Sequence, residues 1–306
     1  MTFRSLRYVL VDVFADRPLA GNPLAVFPDA GGLDDATLQL VAREMDHPAT
    51  SFLSPAEAPD AAFRLRIFSR EREIPFAGHP ALGAHYVHAT ESLRPLSEPV
   101  TRVLHEGRDG LVEVDIFVEN GRIAQLRLTQ RLPEIGPKLT ADEVAEVAEA
   151  LGLAEEEIQA TNQPVRVVST GLPALIVPVA TLSALFAARP RYGLLRAMLE
   201  GRDATLVYAF TKETKEARSA AHARAFDTVG SVEIPGAGAA AGALAAYLVS
   251  HSAVTVLPVT VLPVEQGHAM NRPSTIYTEI HVDGGEITRV VMGARVVRVG
   301  EGRLEI

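Results

Sequence analysis

Acid–base chemistry in this chain points first to His79, which stands in the run Phe76-Ala77-Gly78-His79-Pro80-Ala81-Leu82-Gly83. An imidazole titrates at ~6.5 in isolation and so can take or give a proton near neutral pH. Gly78 has no Cβ, which lets the backbone come close to a ligand. Pro80 sits where the first turn of a helix tolerates a residue without an N–H. Residues 81–89 are small or apolar, which predicts a helix buried on most sides. The free N–H groups at such a helix start make an anion site, with His79 at its mouth.

A second copy follows near the other end of the chain. Glu233-Ile234-Pro235-Gly236-Ala237-Gly238 runs into the Ala-rich stretch Ala239 to Leu248. Each copy comes after an apolar strand with alternating basic residues, Phe63-Arg64-Leu65-Arg66-Ile67-Phe68 and Ala221-His222-Ala223-Arg224-Ala225-Phe226. Gly78 and Gly238 are 160 residues apart, far beyond the ~20–50-residue periods of solenoids, so the pattern reads as a duplicated fold. Halves that face each other would bring two helix N-termini to one cleft, a carboxylate site in outline.

The other candidates each carry a plainer alternative. His79 is either a base or a residue that only orients the substrate. Glu233 borders the second Gly-rich turn and could act as acid or base, against a structural salt bridge or surface role. His85 and His88 are three apart on the predicted helix, but no third ligand has matching spacing, so packing is the better reading and no metal is expected. Gly236-Ala237-Gly238 is a weak dinucleotide signal without a βαβ context, and no cofactor is expected. The acidic run from Asp142 to Glu157 reads as the solvated face of a helix.

The elements that must position these residues follow from pattern and caps. Strands are predicted at 6–14, 24–27, 50–53 and 61–68, with a helix from an Asp34 cap to about Glu44. Gly107 and Asn120-Gly121 mark turns among two or three antiparallel strands over 100–128, and 132–137 reads as a linker. Thr140 with Glu143 forms a capping box for a helix whose apolar face is Val144, Val147, Ala148 and Leu151. Strands at 165–170, 174–179, 205–211 and 220–226 and short helices at 182–186 and 194–199 lead to the second copy. Residues 254–262 read as a strand confined by Pro258 and Pro263 to an edge or short span. Strands at 275–282 and 288–299 flank the Asp283-Gly284-Gly285 turn. The fold class is α+β rather than a βαβ sheet, with domains at 1–130 and 131–287 and the closing strand 288–306 free to pack back on the first.

Composition narrows the function. The 306 residues are 47% hydrophobic, enough for two cores. A net charge of −9 with no basic run argues against nucleic acid or anionic membranes as partners. With no cysteine, disulfides, thiolate catalysis and Cys-based metal sites are excluded. No apolar run approaches the ~18 residues of a membrane span, and the N-terminus lacks a long apolar segment, so a soluble cytoplasmic protein is expected.

Several segments together resemble the PhzF-like proteins of phenazine biosynthesis. They are Val13 to Phe27 with Gly21-Asn22-Pro23, Ala42-Arg43-Glu44-Met45, Pro75 to Gly83, and Val168 to Pro173. His222-Ala223-Arg224, Ala240 to Leu248, Gln266-Gly267 and Arg272-Pro273-Ser274 extend the match over nearly the whole chain. The resemblance implies the fold of diaminopimelate epimerase and proline racemase: two pseudo-symmetric domains, each a barrel-like, mostly antiparallel sheet around a central helix, with the active site between them. It also implies a homodimer, a cofactor-free proton shift on a small carboxylic acid, and a cleft lined by Asn22, Gly78 and Gly238. As an alternative, Gly21-Asn22-Pro23 is ordinary turn chemistry.

The sequence departs from that family where its chemistry is done. The pattern that carries the family's catalytic Glu is matched by Pro48-Ala49-Thr50-Ser51-Phe52, which puts Ala49 at the Glu position. The family's second motif places an Asp and a Ser where this chain has Ile234 and Ala239. An Ala cannot accept a proton, and acid–base catalysis is worth ~10²–10⁴-fold. His79 is the remaining side chain of the usual set; His47, two residues before Ala49, is a further candidate base or an exposed turn residue. The expected protein is an isomerase of a small conjugated carboxylate in secondary metabolism, such as a phenazine or 4-alkylproline precursor. The alternative is an inactive member that only binds its ligand; an epimerase with opposed cysteines is disfavoured by their absence.

Overall fold

A computed structural model of the protein describes residues 4–74, 78–92, 95–204 and 206–306; Pro75, Phe76 and Ala77 lie outside the described residues. The chain divides into two compact units. One holds the residues up to Thr129 with Gly293–Ile306, the other Gln130–Met292.

The first unit begins with β1 (Ser5–Val13), β2 (Asn22–Phe27), α1 (Asp35–Met45), β3 (Thr50–Ser54) and β4 (Phe63–Phe68). It continues with α2 (Gly78–Glu91), β5 (Val100–Gly107), β6 (Gly110–Glu119) and β7 (Arg122–Gln130). Asp34 caps α1 by accepting a hydrogen bond from the Thr37 N–H at 2.8 Å. The buried face of α1, Leu38, Val41 and Ala42, packs on Ala25, Phe27, Phe52 and Phe68. There Phe27 stacks on Phe52 at 5.1 Å and Phe68 meets Phe52 edge-on at 5.6 Å. The opposite faces of the same strands enclose α2. A Cβ on Gly83 would overlap Leu24 and press on Val11 and Val13, so the helix must carry small residues to let the strands close round it.

The second unit contains β8 (Glu134–Lys138), α3 (Ala141–Leu151), α4 (Glu156–Gln159), β9 (Arg166–Ser169) and β10 (Pro173–Pro178). Next come α5 (Leu182–Ala187), α6 (Tyr192–Leu199), β11 (Leu206–Thr211), β12 (Ala221–Asp227) and β13 (Val232–Ile234). Helix α7 (Gly238–Ser250) is the enclosed helix of this unit, with every residue but its last buried. After it come β14 (Val259–Gln266), β15 (Ser274–Asp283) and β16 (Glu286–Ala294). The capping box of α3 forms as the sequence predicts: Thr140 N–H donates to Glu143 Oε2 at 2.7 Å and Glu143 N–H to Thr140 Oγ1 at 3.4 Å. The last strand, β17 (Val296–Glu305), runs antiparallel to β1 in the first unit.

Strand pairing repeats between the units. In the first, β1–β2 is antiparallel, β2–β3 parallel across α1, β3–β4 antiparallel, β4–β5 parallel across α2, and β5–β6 antiparallel. In the second, β9–β10 is antiparallel, β10–β11 parallel across α5 and α6, and β11–β12 antiparallel. Then β12–β14 is parallel across α7 and β14–β15 antiparallel. The fold is α+β, mostly antiparallel, and its parallel pairs are joined by helix crossovers.

Three segments differ from the sequence expectations. Residues 132–137 are not a linker, since β8 pairs antiparallel with β9; Gly136 and Pro137 weaken a strand signal that a distant partner restores. The acidic run is two helices, because Gly152 ends α3 in a left-handed cap at φ 66° with its N–H on Ala148 and Glu149. The strand predicted from 254 begins at Val259 and runs through Pro263 to Gln266, with Pro263 opposite Tyr277. Proline is tolerated there because only its missing N–H is lost; its carbonyl still accepts from Ala220 N–H at 2.8 Å.

Candidate active site

Each helix entry is built on the same pair of struts. In the first unit Arg66 of β4 grips Glu73 with two hydrogen bonds of 2.8 Å, and Phe68 bridges to Glu73 through the backbone. In the second Arg224 of β12 grips Glu233 of β13 at 2.9 and 2.8 Å, and Phe226 pairs with Glu233. The third arm of each Arg reaches a crossover helix, Asp35 at the start of α1 or the carbonyls of Leu185 and Ala188 at the end of α5. Glu233 is therefore bound to a buried guanidinium, where Glu73 is bound to the half-buried one of Arg66, and takes a structural place rather than that of a free acid–base group. Removing it would leave Arg224 buried and uncompensated. Glu233→Ala is expected to cost about 3 kcal/mol of stability, read by denaturant unfolding, with turnover per folded molecule within a few-fold of the parent. A tenfold loss of turnover at unchanged stability would return Glu233 to the acid–base groups.

A second strut also recurs. Glu106 of β5 lies opposite Arg64 and accepts from the N–H groups of Glu57 and Ala58 at 2.8 and 3.0 Å. Glu265 of β14 lies opposite His222 and accepts from Lys215 and Glu216 at 2.9 and 2.6 Å. Both carboxylates pin the loop that precedes the strand. In the second unit the partner is a fully buried histidine, with His222 Nδ1 and Glu265 Oε2 2.8 Å apart. Burial opposes the charge on Glu265, but hydrogen bonds from His222, Lys215, Glu216 and Ser219 hold its carboxyl down at about 2. The sequence signal for this cluster is the segment His222-Ala223-Arg224.

In the first unit β-alternation and helix phase bring candidate residues to α2. Ser51 Oγ donates to the Pro80 carbonyl at 3.2 Å, so β3 presents this side of the strand to the first turn of α2. Ala49, just before the start of β3, is buried. Asn22, buried at the first position of β2, shares its face with Leu24, which touches α2. Gly78, the first residue of α2, is buried. His79 is four residues before Gly83 and so lies on the stripe of α2 that faces β1 and β2. Its Nε2 is shut away from solvent and has no hydrogen-bond partner among the described residues. Burial pushes its imidazole down to about 3, so it is neutral at working pH. His47 is partly buried in the bend after α1, beyond the left-handed cap at Asp46.

In the second unit the N-cap residue of α7, Ala237, has no polar side chain with which to cap the helix. The Gly238 carbonyl accepts from Gln130 Nε2 at 3.1 Å, and the Ala239 carbonyl from Thr170 Oγ1 at 3.1 Å. Ile234 is partly buried, with its carbonyl held by Gln266 Nε2 at 2.6 Å. No acid stands at Ile234 or Ala239, and these bonds fix backbone only. Away from the helix starts, His85 of α2 and His105 of β5 form a buried pair 2.8 Å apart, packed on Phe63. His85 is thus a packing residue. Among the described residues no group of three or more His, Asp or Glu could hold a metal ion. Among the described residues no helix is long and apolar enough to cross a membrane.

A fold of this kind, with a helix enclosed by the strands of each unit, is that of a family whose named relatives are isomerases. The family model for phenazine biosynthesis-like proteins matches residues 11–302, and the chain belongs to that family. An uncharacterized isomerase of Mesorhizobium japonicum is 36% identical over 304 residues, covering 98% of each chain. A trans-2,3-dihydro-3-hydroxyanthranilate isomerase of Pseudomonas fluorescens is 32% identical over 305 residues, covering 97% of this chain and 98% of the relative. The crystal structure of a PhzF-family phenazine biosynthesis protein of Bacillus anthracis superposes with a TM-score of 0.89 at 24% identity, covering 99% and 100% of the two chains. A probable proline racemase of Agrobacterium radiobacter shares the fold alone, with a TM-score of 0.69 at 14% identity over 98% and 92%.

Proposed function

We propose that this member of the family is a cofactor-independent isomerase that shifts a proton along a small, conjugated carboxylic acid, by tautomerisation or double-bond migration. The observation that carries the reading is His79: a partly buried, neutral imidazole at a helix start, its Nε2 shut away from solvent and without a hydrogen-bond partner among the described residues. The first turns of α2 and α7, at Gly78 and Gly238, are the proposed anion donors. Asn22, Ala49, Ile234 and Ala239 are the proposed lining, more apolar than the carboxylates of the family pattern.

The proposed chemistry uses a substrate that conjugation has already made acidic. His79 Nε2 takes a proton from carbon, and the electron pair moves into the conjugated system. The imidazolium, disfavoured by burial alone, is stabilised by the substrate carboxylate. The same nitrogen then returns the proton to the far end of the conjugated system, so no atom is gained or lost. A neutral histidine at about 3 is a weak base in the free protein, and this is why the substrate must supply both activation and the counter-charge. The relative in Pseudomonas fluorescens is named as an isomerase of trans-2,3-dihydro-3-hydroxyanthranilate, a small conjugated carboxylate, which supports a substrate of that class; a phenazine- or 4-alkylproline-type precursor and a place in secondary metabolism are part of the same proposal. A cytoplasmic homodimer belongs to the same proposal. The test is turnover in D₂O: deuterium incorporation into a conjugated amino or imino acid together with an absorbance change supports it, and neither one with any member of such a set overturns it.

A second reading is favoured by the acid–base inventory: Ala49 and Ile234 cannot titrate, and Glu233 is bound to Arg224. On that reading the protein binds its carboxylate without turning it over. Binding of a carboxylate probe with no exchange in D₂O would select it.

A further inference from the structure

The motif Gln266-Gly267 with Arg272-Pro273-Ser274 has no part in the chemistry above, yet the side chains of Gln266 and Ser274 and the backbone at Gly267 converge on one segment, Ile234–Ala237, the entry to α7. Gln266 is fully buried. Its Oε1 accepts from the Ala237 N–H at 3.1 Å and from the Tyr208 hydroxyl at 2.9 Å. Its Nε2 donates to the Ile234 carbonyl at 2.6 Å. Ser274 Oγ donates to the Pro235 carbonyl at 2.7 Å. Gly267 lies at φ 76°, and a Cβ there would overlap the carbonyls of Pro235 and Arg272, so this corner of the chain is pressed directly against the entry segment.

The entry segment needs such support. Ile234-Pro235-Gly236-Ala237-Gly238 contains two glycines, which lose more freedom on ordering than any other residue, and Ala237 has no side chain with which to cap α7. We infer that Gln266, oriented by Tyr208 and assisted by Ser274, is a positioning residue: it serves as a cap supplied from β14 and fixes the direction in which the first-turn N–H groups of α7 point. Gln266 Oε1 takes the Ala237 N–H, which leaves the N–H groups of Gly238 and Ala239 for an anion. Its Nε2, tied to Ile234, sets the side-chain rotation of the amide. The inference about ligand affinity rests on the carboxylate-binding reading above; the inference about backbone order does not.

The closing experiment separates the two. Hydrogen–deuterium exchange of residues 234–242 is measured in the full chain, for the parent, Gln266→Met, Gln266→Glu and Tyr208→Phe, alongside thermal unfolding and affinity for anthranilate as the probe. Gln266→Met keeps the side-chain volume and removes all three bonds. Exchange over 234–242 is expected to rise at least tenfold while strands of the first unit are unchanged, and anthranilate affinity to fall about tenfold. Gln266→Glu retains both acceptor bonds and is expected to recover most of the protection at Ala237; Tyr208→Phe is expected to show a smaller rise. Unchanged exchange in Gln266→Met overturns the inference. Raised exchange with unaltered anthranilate affinity overturns the positioning role. A parent protein that does not bind anthranilate defeats the carboxylate reading instead, and the exchange arm still decides the clamp.

Discussion

His79→Gln is expected to lower turnover by ~10²–10⁴-fold, the range for loss of a general base, while carboxylate binding stays within about tenfold. Glutamine can still offer an amide hydrogen bond at roughly the position of the imidazole, but it cannot accept a proton at neutral pH. The variant separates a base from an orienter, because loss of orientation alone would raise KM along with any fall in kcat. The pH profile is the second readout. Because kcat/KM reports the free protein and burial pushes His79 down to about 3, no acid limb is expected near 6.5. An acid limb centred near 6.5 at full fold would show His79 exposed and ordinary. Equal turnover in His79→Gln and the parent would remove His79 from the mechanism.

Acidification is expected to unfold the first unit before the second. Burial pushes His79 down to about 3 and His105 to about 4, and holds His85 well below its usual range, with the charges of His105 and His88 adding to the effect. All three are neutral when folded and bind protons near 6.5 once unfolded. The unfolded state therefore takes up protons as pH falls below about 6.5, and the stability they contribute, fully present above that pH, is lost toward pH 4. At ~1.4 kcal/mol per pH unit for each group, three groups remove up to about 6 kcal/mol by pH 5, comparable with the whole stability of many domains. The His85–His105 bond sharpens the effect, since one of the facing nitrogens must accept and double protonation sets two N–H groups against each other. In the second unit Glu265, held at about 2, loses its stabilising charge only below the ordinary carboxylate range. Denaturant unfolding at pH 7, 6 and 5, with exchange mapped by unit, measures this. The double variant His85→Leu, His105→Leu should cut the pH dependence to about a third. A loss of protection that starts in the second unit would contradict the assignment.

Much of the architecture was legible because its signals are local. Asp34 and Thr140 cap helices through contacts three residues away. The small residues of 81–89 and 239–248 identify enclosed helices, since only small side chains let strands close around a helix. The two Arg-bearing strands announce the duplication, and their Arg–Glu struts, Arg66–Glu73 and Arg224–Glu233, carry it into three dimensions. What misled was non-local. Residues 134–138 carry Gly136 and Pro137 and become a strand only because β9 lies alongside. Pro263 enters a strand because the lost donor is its own.

The candidate site divides in the same way. The sequence by itself determined the family, the helix starts at Gly78 and Gly238, and which titratable residues stand near them, because those are matters of residue type and spacing. Only the tertiary structure decided their states. Glu233 is an ion-pair partner because β12 sets Arg224 against it; His79 is neutral because burial at its Nε2 disfavours the charged form. Gln266 reaches Ala237 across 29 residues, and Tyr208 reaches Gln266 across 58. Protonation and orientation depend on what surrounds a group, and distant segments supply those surroundings only once the chain has folded.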